Sequence, residues 1–140
     1  MNEEKYQRLL RQRRNRTKAK QNATLEAAVA RVKKEARLDT WCSTHANCFR
    51  ASMGKGESEV HVRKKFELFL EYRKAGATVF TELRWRNGSR SDLVVCWHNG
   101  EVEIVEVAVS EKGESLIQKG NKYPFPMKVV RMQRDGQSGR

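Results

Sequence analysis

The stretch GSRSDLVVCWHNGEVEIVEV, from Gly88 to Val107, decides how this chain folds. Two runs rich in β-branched residues, Ser91 to Trp97 and Glu101 to Val109, flank His98-Asn99-Gly100, and Asn-Gly is a tight-turn signal. Strands joined by so short a turn pair antiparallel. Asp92 stands six residues before His98 and Glu106 six after Gly100, so a symmetric register sets the two carboxylates opposite each other. Period-two alternation points them the same way, on the parity of Glu82 and Arg84 in the preceding strand. Burying unpaired carboxylates is costly, and a divalent cation is the most economical reason to collect them. Hard oxygen donors favour Mg2+ or Mn2+ over zinc.

Outward from this hairpin, Ala77 to Trp85 reads as a strand, with the turn Arg86-Asn87-Gly88-Ser89 after it. Glu57 to Ala75 reads as a helix with Val62, Phe66, Phe69 and Leu70 as its inward stripe and Gly76 as its stop. Beyond the hairpin come a short helix from Glu111 to about Gly120, the stiff Pro124-Phe125-Pro126 and a strand from Met127 to Met132. The class is α/β: a small mixed sheet flanked by helices. Glu59 precedes Val62 and Phe66 by three and seven residues, which places a third acid on the inward stripe in the first helical turn. Glu57 falls off that stripe and is the weaker candidate.

Gly88-Ser-Arg-Ser-Asp-Leu-Val-Val95 followed by Glu103-Ile-Val-Glu-Val107 resembles the core of the PD-(D/E)XK nuclease superfamily, which includes restriction endonucleases and archaeal Holliday-junction resolvases. The resemblance covers about residues 57–132 and implies a restriction-endonuclease-like sheet. It further implies Mg2+- or Mn2+-dependent hydrolysis of DNA phosphodiester bonds, with branched or junction DNA as one substrate. The ion would be held by Glu59, Asp92 and Glu106, with the Val107 carbonyl as an extra ligand. The superfamily lysine two residues after the glutamate is Ala108 here, so Lys112 stands as its nearest replacement, with Lys119 and Lys122 farther along. Paired cuts would need two copies of the chain, and the stripe Leu25, Ala28, Val29 and Val32 is a candidate homodimer contact, or else a cover for its own sheet.

Charge is unevenly placed. Of the net +12, residues 1–56 carry +9, from 14 basic and 5 acidic residues. A basic helical arm attached to a nearly balanced body attracts phosphate polymers without reading their sequence. Arg13, Arg14, Arg16 and Lys18 in the arm, and Arg84, Arg86 and Arg90 around the Asn87-Gly88 turn, are the expected DNA-backbone contacts, with Lys119 and Lys122 beside the metal site. The organisation read from this is an arm and connector over 1–55, a core over 56–134 and a loose tail over 135–140. Within the arm, Thr24 is a candidate cap for a second helix ending near Arg37.

The chain has no apolar run of membrane-spanning length and no secretory leader pattern, and three cysteines do not make a disulfide framework. An intracellular, cytoplasmic protein is the expectation. Two other functions fit the same residues. The loss of the motif lysine suits a nuclease fold that binds DNA without cutting it. Cys42-x2-His45-x2-Cys48 suits a zinc-stapled nucleic-acid-binding module.

Overall fold

The computed structural model describes residues 2–52, 57–109 and 113–132. The expected tail, the Gly54-Lys55-Gly56 boundary and Lys112 lie outside the described residues. Helix α1 runs unbroken from Glu3 to Glu35, 33 residues or about 50 Å. Asn2 caps it by accepting the Lys5 N–H at 2.8 Å, and Lys33 and Lys34 suit its last turn. Thr24 does not start a second helix. Its hydroxyl donates to the Lys20 carbonyl, because the Ala-, Gln- and Lys-rich sequence around it contains nothing to interrupt the first helix.

After the short α2, Trp41–Thr44, come α3, Glu59–Lys74; β1, Thr78–Arg84; β2, Arg90–Cys96; β3, Val102–Ala108; α4, Gly113–Lys122; and β4, Met127–Arg131. The sheet order is β1-β2-β3-β4, with the first two pairings antiparallel and β3-β4 parallel. Helix α4 provides the crossover that a parallel pair requires. The architecture is α/β with a four-stranded mixed sheet. No helix among the described residues is long and apolar enough to cross a membrane.

Each face of the sheet is covered by one helix. Ala28, Val32 and Ala36, at the end of α1 and just beyond it, are buried with Phe80, Trp85, Val94 and Ile104. The Leu25–Val32 stripe therefore covers its own sheet and is not free to join two copies of the chain. On the other face, Leu68 and Phe69 of α3 pack on Val79, Leu93, Val95 and Val105. The expected α3 stripe is rotated. Phe66 and Leu70 are 43% and 39% exposed, while Lys65, Leu68 and Phe69 turn inward. A hydrophobic stripe excludes lysine by rule, and here Lys65 is buried because acids wait for it. The connector closes the free edge of β1: Asn47 donates its N–H to the Val79 carbonyl at 2.7 Å, and Arg50 donates its N–H to Thr81 Oγ1 at 2.9 Å.

Candidate functional site

The site forms where the strands part. The β1-β2 ladder pairs Thr81 with Leu93 and Leu83 with Ser91 but skips Glu82 and Asp92, and the β2-β3 ladder ends at Leu93 with Val105. Glu82 has φ +53°, a left-handed conformation that costs a non-glycine residue about 1–3 kcal/mol. Side-chain alternation reverses there: Leu83 and Trp85 share the α1 face with Phe80, and Trp85 Nε1 donates to Ser91 Oγ at 2.7 Å. Carboxylates replace the missing ladder bonds. The Asp92 N–H donates to Glu106 Oε2 at 2.8 Å, and the Val107 N–H donates to Asp92 Oδ2 at 2.9 Å.

Asp92 and Glu106 are thus adjacent across the strands, as their spacing predicts, but their other partners lie on different elements. Asp92 Oδ2 meets His61 Nε2 of α3 at 3.2 Å. Glu106 Oε1 accepts a hydrogen bond from the Tyr123 hydroxyl, which is also 2.9 Å from the Arg90 carbonyl, and lies 3.9 Å from Lys119 Nζ. The α3 side adds three groups. Ser58 caps the helix by accepting the His61 N–H, and Glu57, just before the cap, pairs with His61 Nδ1. One turn farther on, the fully buried Lys65 Nζ lies 2.9 Å from Glu57 Oε2 and 2.7 Å from Glu82 Oε1. Glu82 Oε2 in turn forms an ion pair with Arg90 Nε at 3.0 Å.

Protonation follows from these contacts. The Asp92 hydrogen bond holds the His61 pKa above its usual value; burial opposes this, and the charges of Asp92 and Glu57 support it. An imidazolium, a donor at both nitrogens, suits two flanking carboxylates. Burial acts upward on Asp92 and on Glu57 but is outweighed: by His61 and the Val107 N–H at Asp92, and by Lys65 and the Ser52 N–H at Glu57. Both carboxyls therefore lie below their usual values. Burial, with the Asp92 charge second, pushes Glu106 up to about 8. Two carboxylates this close favour sharing one proton, and a cation could take that proton's place.

Glu57, His61 and Asp92 each offer a ligand atom, all within 4.8 Å of one another, the one such group among the described residues. The structure does not bring Glu59 there. Its side chain is 68% exposed and pairs with Arg63, so Glu57 occupies the place expected of Glu59. Val107 is buried beside Asp92. Of the downstream lysines, Lys119 reaches Glu106, whereas Lys122 is exposed on α4. Arg84 and Arg90 line one pocket with Glu82, while Arg86 Nε donates to the Ala36 carbonyl at 3.5 Å, at the end of α1. Arg13, Arg14, Arg16 and Lys18 are exposed on α1. Glu57, His61 and Lys65 carry a signal that an apolar stripe conceals: a spacing of four and four, with His61 and Lys65 on one face of α3 and Glu57 just before its cap continuing the same line.

The Cys42, His45 and Cys48 trio is not gathered around a common point. Cys42 is buried and its thiol is held above its usual pKa chiefly by burial, Cys48 is exposed, and His45 stacks on Trp41 with Nδ1 2.9 Å from the Trp41 carbonyl. No protein-family model, curated protein or solved structure matches this chain.

Proposed function

We propose that the protein is a metal-dependent DNA endonuclease built on a restriction-endonuclease-like core with a basic helical arm. The observation that carries this reading is the opposition of Asp92 and Glu106 where β2 and β3 separate, with His61 and Lys65 set against them from α3 and Glu57 from just before its cap. The donor set suits a divalent cation: carboxylate oxygens from Asp92 and Glu57, with His61 Nε2 once its proton is lost and Glu106 beside Asp92. The oxygen donors suit Mg2+ or Mn2+. The bound cation would lower the pKa of an attacking water and neutralise charge building on the phosphate.

The chain's own residues set the rest. Backbone N–H groups orient the two strand carboxylates and keep them at the edge of the packed core. Lys65, fixed between Glu57 and Glu82, and Lys119, beside Glu106, place positive charge on opposite sides of the site. They supply electrostatics of the kind absent at Ala108. Lys112 remains part of the proposal through its closeness in sequence. Arg84 and Arg90, with the exposed basic residues of α1, hold the DNA backbone without specifying bases. Paired cuts would require two copies of the chain joined through a surface other than the Leu25–Val32 stripe; one copy would nick.

The test offers labelled junction, flap, single-stranded and duplex DNA with Mn2+ or Mg2+ to the wild type, Asp92→Asn and Glu106→Gln. The expected result is cleavage by the wild type and a loss of at least about 100-fold in either variant, with DNA affinity retained. Tight binding with no cleavage of any substrate would leave the DNA-binding reading, which Ala108 favours.

A further inference from the structure

A pocket of about 460 Å3 opens beside Glu82, lined in part by Thr40, Trp41, Arg50, Arg84 and Arg90. That volume lies in the roughly 300–1,000 Å3 range of small-ligand sites. Its lining is unusual for a surface that only packs. Trp41 remains 42% exposed, although the His45 ring lies parallel to it at 4.4 Å and the Arg50 guanidinium lies 5.7 Å from its centroid. Arg50 hydrogen-bonds the Cys42 thiol and lies over the Trp41 ring rather than meeting a carboxylate, and Arg90 is 46% exposed while paired with Glu82. Because Glu82 is also matched by the buried Lys65, cationic charge is in excess in the pocket.

We infer that this pocket binds one unpaired nucleotide of the substrate strand, its base against Trp41 and its phosphate among Arg50, Arg84 and Arg90. Aromatic rings beside arginines accept any base face, and the anionic backbone satisfies the guanidinium groups. A base within a duplex is already stacked on both sides and cannot offer its face, so the pocket favours single-stranded or frayed DNA. The inference rests on the nuclease reading, because Glu82 joins this pocket through Lys65 to Glu57, His61 and Asp92.

The full chain is tested in excess chelator, where metal-dependent cutting is suspended. Fluorescence anisotropy would compare a labelled oligothymidylate of about twelve nucleotides with the same length of duplex. Trp41→Ala should weaken single-strand binding about tenfold, Trp41→Phe should restore most of it, and Arg84→Gln should weaken it as well. Duplex affinity should change less than about twofold in the Trp41 variants. Wild-type affinity for the single strand in both Trp41→Ala and Arg84→Gln would overturn the inference, as would equal losses on both DNA forms or a wild type that does not bind the single strand. Trp41 is partly exposed, and thermal midpoints check that each variant keeps its fold. The nuclease reading fails by a different readout, absence of cleavage with metal, so the two failures are separable.

Discussion

Lys65 has no exposed side-chain surface, and its ammonium is held only because Glu57 and Glu82 meet it. Removing one partner of a buried ionic group leaves the others stranded, so Lys65→Met should cost about 3 kcal/mol in urea denaturation, and adding Glu82→Gln should recover part of it. A cost below about 1 kcal/mol would mean that these carboxylates are satisfied without the lysine. Glu106 and His61 set a pH dependence of definite sign. Glu106 titrates near its ordinary 4.5 when unfolded and at about 8 when folded, so the folded state holds the extra proton between those values and loses stability as pH rises through them. His61 acts in the same direction: its raised pKa contributes stability below about 6.5 that is lost as pH climbs through the folded value. The metal-free protein should therefore melt at progressively lower temperature from pH 5 to 8.5, and Glu106→Gln should flatten that decline. A midpoint that rises over this range would contradict the assignment.

Helix α1 performs two tasks in succession. Its last turns bury Ala28 and Val32 against the sheet, while residues 2–9, and those from 11 to 21, lie exposed. Deleting residues 1–20 should leave the thermal midpoint nearly unchanged, weaken DNA binding and flatten its salt dependence. Equal affinity and salt slope in the truncated chain would assign the basic helix to another partner. Much of the element plan is legible in the sequence, because Asn99-Gly100, the β-branched runs and the Pro124–Pro126 segment act locally. The register that brings Asp92 to Glu106 is legible for the same reason: a short turn fixes it. Less legible is the face of α3, where Phe66 and Leu70 look like core and Lys65 looks like surface. Burial of that lysine depends on Glu57 and on Glu82, the latter 17 residues away in sequence, and on a left-handed residue that no alternation rule anticipates. Glu59 illustrates the same limit, since rotating the helix turns it toward Arg63 and solvent.

In the molecule as a whole, one end of the sheet gathers the chemistry. Glu82, Asp92 and Glu106 come from three successive strands, α3 delivers His61 and Lys65 from one face, and Lys119 and Tyr123 approach from α4 and the residue after it. The long basic helix covers the opposite face and then extends beyond the core, so the basic stretch proposed to bind a polyanion and the group proposed to act on it lie on separate parts of one small fold. On this division, shortening the arm should leave the carboxylates undisturbed, while a change at Asp92 should abolish the proposed cleavage without releasing DNA. The central claim is that these carboxylates share a divalent cation. Anomalous diffraction at the manganese edge, from crystals of the full chain soaked in Mn2+, tests it directly. A peak is expected between the carboxylates of Asp92 and Glu106, with Glu57 or His61 beside it, and none in Asp92→Asn crystals; a wild-type map without that peak, or with its manganese only at other residues, would rule out a cation shared by these carboxylates.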